Sequence, residues 1–157
     1  MALGKKDFDQ VEASAARRRA PGYKLEDQVG HLLRRANQRH TSIFFDGLND
    51  QKLTPTQFAA LIKIGDEEEV SQNRLGRLTA MDPATILGVV KRLQERKLID
   101  AHPDPVDRRR SLWRLSAAGQ RLLEEVLPIA AQITRHTLAP LDSGERRVLL
   151  ELLRKLS

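Results

Sequence analysis

Residues 71–116 read SQNRLGRLTAMDPATILGVVKRLQERKLIDAHPDPVDRRRSLWRLS, and no other segment constrains the fold as tightly. Ser71 suits a helix N-cap, followed by a short helix with Leu75 and Leu78 as its apolar positions. Asp82-Pro83 restarts the chain as a longer helix, with the acid as cap and proline at the first helical position, where a missing N–H costs nothing. In that helix Ile86, Val90 and Leu93 are expected to face inward, and Thr85, Gly88, Val89 and Arg92 the opposite side. Residues 98–101 (LIDA) and 112–115 (LWRL) read as paired short strands. The HPDPVDRRRS loop between them holds two prolines, each without a backbone donor, so its tip is not continuous strand. Ser116 then caps another helix.

Helix, turn, capped helix, strand, basic loop, strand is the order of a winged helix-turn-helix. The second helix is the shape that enters a DNA major groove, and an arginine loop can reach the adjacent minor groove, whose negative potential attracts guanidinium groups. The expected fold is mainly α with a small β-wing, with further helices before and after the winged lobe.

The charge distribution agrees. The chain carries a net charge of +6. Residues 71–97 hold six Lys or Arg against two acids, whereas residues 48–70 hold two against five, so the positive density sits on the reading unit. An ordinary solvated surface would also be charged, so charge alone does not decide. Aromatics are only 4%, which argues against binding single strands by base stacking. With no cysteine, disulfides, thiolate metal sites and thiol redox sensing are excluded. The four histidines lack metal-ligand spacing, and no metal or cofactor is expected. No apolar run approaches the ~20 residues of a membrane span, and residues 1–22 lack a signal-peptide core, so no membrane partner and a cytoplasmic location are expected.

Residues 1–22 read as a flexible basic arm ending at Pro21-Gly22; Arg17, Arg18 and Arg19 could touch phosphate or simply be solvated. Residues 23–157 read as one winged-helix domain, with 48–115 the DNA-binding lobe and 23–47 and 116–157 flanking helices. The first helix is expected over residues 25–45, where Leu25, Val29, Leu32, Leu33, Ala36, His40, Ile43 and Phe44 recur at helical spacing. This stripe is long for a small domain and suggests packing against a partner. The next helix has an explicit start: Thr54 as cap, Pro55 at the first position, Gln57 completing a capping box, and Leu53 with Phe58 as a hydrophobic staple. Gly65 and the acidic run 66–69 are expected to end it. The helix after Ser116 should bend or restart at Pro128 and break at Pro140; Asp142 and Glu145 form a second capping box for a last helix to about Leu156.

The candidate DNA contacts are Gln72 and Asn73 at the start of the first reading helix, placed for phosphate. Pro83, Ala84, Thr85, Gly88, Val89 and Arg92 come from the recognition helix, and Arg108, Arg109 and Arg110 from the wing. Small residues there admit close approach, Thr85 can bond a base or meet a thymine methyl, and Gly88 spends helix propensity where a backbone must come near. Each residue singly has an ordinary structural reading. Asp107 beside the arginines is paradoxical in a DNA-binding tip; its carboxylate is expected to pin an arginine or a loop amide and so shape the wing. Trp113 is expected to anchor the wing on the core.

Residues 24–156 resemble the MarR-type transcriptional regulators. The resemblance rests on LTPTQFAAL, MDPATILGVVKRLQERKLI, DRRRSLWRLSAAG and LDSGERRVLLELLRKL, most specifically on Asp107-x-Arg109 followed by Leu115-Ser116-x-x-Gly119. Serine stands where threonine is common at 116; both cap helices. The resemblance implies a homodimer, with 23–47 and 116–157 as its dimerisation helices. It also implies binding to a roughly palindromic double-stranded operator, with half-sites about one helical turn apart, switched by a small molecule that most often relieves repression. KLEDQVGHLLRRANQRHTSIF resembles the subset that responds to aromatic acids. His31, Arg35, Gln38, Arg39 and His40, with Phe58 and Ile62 to cover a ring, are the candidate effector residues. Ion pairing within or between helices is the alternative reading of these arginines. A constitutive or architectural DNA-binding protein without a ligand remains open, as does a winged helix used only for protein contacts. Neither a nucleophile–base pair nor a phosphate-cradling glycine loop is evident, so no enzyme is expected.

Overall fold

The computed structural model describes residues 22–107 and 110–157. The arm residues Arg17, Arg18 and Arg19 and the wing residues Arg108 and Arg109 lie outside them. The described chain forms two compact bodies, residues 22–38 and 39–157.

The first body opens with a 3-10 turn, Leu25–Asp27, and continues into α1, Val29–Leu48, whose residues from 39 onward belong to the second body. The long helix therefore starts four residues later than its apolar pattern suggests. Gln28 is extended, at φ −83° and ψ 129°, and separates the turn from the helix.

In the second body α2, Pro55–Glu67, starts as expected. Thr54 accepts from the Gln57 amide, and the Gln57 side chain accepts from the Thr54 amide. Its end differs: Gly65 lies inside the helix, because a Cβ there would come within 2.9 Å of Leu123 and 3.2 Å of Leu115. The glycine admits two side chains rather than terminating the helix, which ends at Glu68 with a positive φ of 59°.

A two-residue strand, β1 (Val70–Ser71), follows and leads into α3, Gln72–Leu78, capped by Ser71. Next come α4, Pro83–Glu95, and strands β2, Ile99–Pro103, and β3, Ser111–Leu115. The antiparallel sheet has the order β1-β3-β2, with Val70 opposite Trp113 and Ile99 opposite Leu115. The wing strands run further toward the tip than expected, since His102 and Pro103 still pair with Leu112 and Ser111. Pro103 is tolerable there because it ends an edge strand.

Ser116 caps α5, Ala117–Thr137, which runs through Pro128 without restarting. The Asp142–Glu145 capping box opens α6, Ser143–Leu156, which has no buried residue. Leu61, Ile64, Leu75, Ile86, Val89, Leu93 and Val126 are fully enclosed at the centre of the core. Trp113 is buried among them, as an anchor of the wing must be.

Candidate nucleic-acid interface

The reading unit is held from below. The backbone N–H of Met81 donates to Gly76 O at 2.9 Å, closing the turn between α3 and α4. Gly76 permits this approach, because a Cβ there would sit 3.2 Å from Met81 O. Asp82 then starts α4 with three hydrogen bonds: the amides of Ala84 and Thr85 donate to Oδ1 at 3.0 and 2.9 Å, and the Thr85 hydroxyl donates to Oδ2 at 2.5 Å. The Thr85 hydroxyl, then its amide, hold the Asp82 carboxyl below its ordinary 3.8. A depressed folded-state value means that the cap's contribution is complete above the unfolded value and is lost as pH falls through the folded one. Asp82→Ala is expected to lower Tm by several degrees at neutral pH. That difference should close in thermal melts as pH falls below the ordinary 3.8 and through the lowered folded-state value, where the wild-type carboxyl is itself protonated.

Along α4, Pro83, Ala84 and Arg92 are exposed and Thr85 and Gly88 partly so. Val89 is not available: it is completely buried. Residues 86, 89, 90 and 93 follow the i, i+3, i+4, i+7 spacing of a single apolar stripe, so Val89 belongs to the core face with Ile86. The residue the sequence reading passed over is Leu87, 56% exposed on the outer face. Its position between two inward residues was the available signal. Nothing rigid requires the glycine at 88, because a Cβ there would meet only the flexible tip of Arg92, 3.3 Å away at Nη2. The Arg92 guanidinium thus lies back along the helix beside it.

Gln72 and Asn73 do meet the wing. An open cleft of about 530 Å³ runs between the start of α3 and the wing base, lined by these two with Arg77, Arg110 and Trp113. A second cleft, of about 640 Å³, brings Asn73 and Arg77 together with Pro83. Two cations, Arg77 of α3 and Arg110 of the wing, line these clefts, and Asn73 and Arg77 are common to both. Arg96, by contrast, is structural: its guanidinium donates to the carbonyls of Gln51 and Lys52 at 2.8 and 2.9 Å. Nor does the acidic run stand unopposed, as Glu67 pairs with Arg74 at 2.6 Å and Glu69 with Arg114.

The wing loop is organised by two acids. Asp104 was not singled out from the sequence, yet its Oδ1 accepts from the Val106 and Asp107 amides at 2.8 and 3.3 Å, a turn signal that Asp-Pro carries. Asp107 faces Arg110, with Oδ2 3.3 Å from Nε, and its carbonyl accepts from the Arg110 amide at 2.8 Å.

Of the candidate effector residues, His31, Arg35 and Gln38 belong to the first body. Arg35 and Gln38 are exposed there, and His31 Nδ1 lies 3.1 Å from Arg34 Nη2. The second body gathers the rest more closely. His40 Nδ1 lies 3.0 Å from Thr137 Oγ1, and Arg39 donates to His136 O at 3.2 Å. The rings of His40 and Phe58 both pack around Phe44, at centroid distances of 6.3 and 5.7 Å, and Ile62 is partly buried one turn beyond Phe58. The arrangement offers a cation, a ring nitrogen and an aromatic wall, which suits a small aromatic acid.

Comparison with known proteins agrees with this geometry. Residues 51–110 match the MarR family model. The chain is 45% identical over 134 residues to the HTH-type transcriptional repressor NicR of Pseudomonas putida, covering 85% of each. Its fold superposes on a probable transcriptional regulator from Pseudomonas aeruginosa with TM-score 0.81 and 50% identity, over 85% of this chain and 100% of that one. It superposes equally on Bordetella bronchiseptica BpsR, a protein whose DNA binding is regulated by 6-hydroxynicotinic acid. There the TM-score is 0.82 at 45% identity, over 85% of this chain and 96% of that one. With the winged lobe, its capped recognition helix and this likeness along most of its length, the chain belongs to the MarR family of transcriptional regulators.

Proposed function

We propose that this chain is a homodimeric repressor that binds a pseudo-palindromic operator and releases it when a small hydroxylated aromatic acid binds. The observation that carries the reading is the 45% identity to BpsR over 85% of the chain, because it extends well beyond the winged lobe into the helices that would hold an effector. The acid would belong to the class of 6-hydroxynicotinic acid. Its carboxylate would meet Arg39 and His40, and its ring would pack beside Phe58 and Ile62. His31, Arg35 and Gln38 remain candidates on the sequence pattern alone.

Dimerisation has its own support. On α6, Val148, Leu152 and Leu156 are 48, 51 and 73% exposed, and Leu149 and Leu153 add to the same apolar face. In the first body Leu25, Val29, Leu32 and Leu33 are likewise uncovered. Contiguous apolar faces of this kind belong in interfaces. Among the described residues no helix is long and apolar enough to cross a membrane, and the proposed place of action is the cytoplasm, with the DNA.

The effector must bind the released form better than the DNA-competent form. A ~100-fold fall in operator affinity corresponds to about 2.7 kcal/mol of coupling, within the usual allosteric range. Titrating the protein–operator complex with 6-hydroxynicotinic acid, read by fluorescence anisotropy, should release the DNA. Arg39→Ala and His40→Ala should each raise the acid concentration needed by about tenfold, the scale of one charge-assisted hydrogen bond, with operator affinity unchanged. An acid Kd identical with and without operator would overturn the switch.

A further inference from the structure

The recognition helix presents an uncovered leucine where polar base-reading groups are scarce. Leu87 is 56% exposed, although every other large aliphatic residue of α4 (Ile86, Val89, Val90, Leu93) is buried. At i−3 and i+4 from it on the helix lie Ala84 and Lys91, so this face of the first turns is small and apolar, with a cation following. The polar alternative at this end is already engaged, since the Thr85 hydroxyl donates to Asp82 at 2.5 Å. The Asp82 carboxylate is itself occupied by the first amides of the helix.

We propose that Leu87, with Ala84 beside it, reads the C5-methyl group of a thymine in each operator half-site. This inference rests on the operator-binding reading above. Thymine's methyl is the apolar group on the base edges of the major groove, and it distinguishes T·A from C·G by shape without any hydrogen bond. Lys91 lies one turn further along the same face, and it is exposed, as are Arg92 and Arg77, so the reading helices carry charge that can hold phosphates. A duplex is therefore the occupant that fits both the apolar spot and its basic rim.

The test uses the duplex that full-length wild-type protein enriches from random DNA, with each thymine replaced in turn by deoxyuridine, which removes only the methyl. The expected result is one thymine per half-site whose replacement weakens wild-type binding by roughly fivefold, the scale of one buried methyl. Leu87→Ala, at an exposed position, should keep the wild-type Tm, bind the thymine duplex less tightly, and be indifferent to uracil at that position. An enriched palindrome in which no thymine is sensitive overturns the inference and leaves the regulator reading intact. Sensitivity equal in wild type and Leu87→Ala does the same. Failure to enrich any sequence overturns the regulator reading itself, and the leucine's role with it.

Discussion

Gly119→Ala is expected to destabilise the fold by about 3 kcal/mol or more, dropping Tm by ~10 °C, because the new methyl has nowhere to go. A Cβ at this position would lie 2.0 Å from Leu98 O and 3.0 Å from Leu98 C, both backbone atoms. That carbonyl is also fixed by the Ser116 amide at 3.0 Å. The Ser116 hydroxyl accepts from the Gly119 amide at 3.0 Å and donates to Lys97 O at 2.7 Å. The start of α5 and the entry to the wing are thus one hydrogen-bonded joint. Relief would require moving β2 or the helix, and each carries core residues. Gly88→Ala is the control: its methyl meets only the tip of Arg92 at 3.3 Å, and it gains up to ~1 kcal/mol of helix propensity. Thermal melts of the two variants should move in opposite directions or leave Gly88→Ala unchanged. Equal losses would mean that glycine matters here for some reason other than the Leu98 contact.

The second large effect is on DNA affinity. Arg77, Lys91, Arg92 and Arg110 are exposed, and if each meets one phosphate, a dimer on its operator would make about eight such contacts. Neutralising eight phosphates predicts a slope of about −7 in log Kobs against log salt, hence a loss of roughly 10⁴ in affinity between 50 and 200 mM salt. Arg77→Ala should weaken binding on all sequences and flatten the slope, by about two contacts per dimer. Asp107→Ala makes the lobe more positive and should nevertheless weaken operator binding, because Asp107 fixes Arg110 at 3.3 Å and shapes the loop. Tighter binding by Asp107→Ala would show that the acid merely repels DNA.

Local chemistry made much of this fold legible from the chain alone. Thr54, Asp82, Ser116 and Asp142 each announced a helix start, and each side chain does accept from the amides it was expected to cap. A cap depends on neighbours three residues away, so sequence carries it. What the sequence hid depends on distant partners. The β1 strand is two residues long and exists only because Val70 and Ser71 find Trp113 and Leu112. Gly65 looks like a stop signal until Leu123 and Leu115 are seen to pack over it. Gly119 belonged to the family pattern, but its physical reason is a carbonyl twenty-one residues earlier. The error at Val89 was one of phase: assigning it outward ignored its place three residues from Ile86 and four from Leu93, and it hid Leu87. Gln72, Asn73 and Arg110 line one cleft together with Arg77, a residue that the sequence reading counted as charge but did not single out as a DNA contact. The effector residues were less legible, because ring packing such as Phe44 against Phe58 has no sequence periodicity.

The most direct test of sequence-specific regulation is selection from random duplex DNA by the purified full-length protein, followed by sequencing of the bound fraction. A pseudo-palindrome with half-sites about ten base pairs apart is the expected result, since two recognition helices related by a two-fold axis meet the same groove one turn apart. Recovery of no sequence preference by folded, dimeric protein would contradict it, and would leave the basic surface as a non-specific DNA contact.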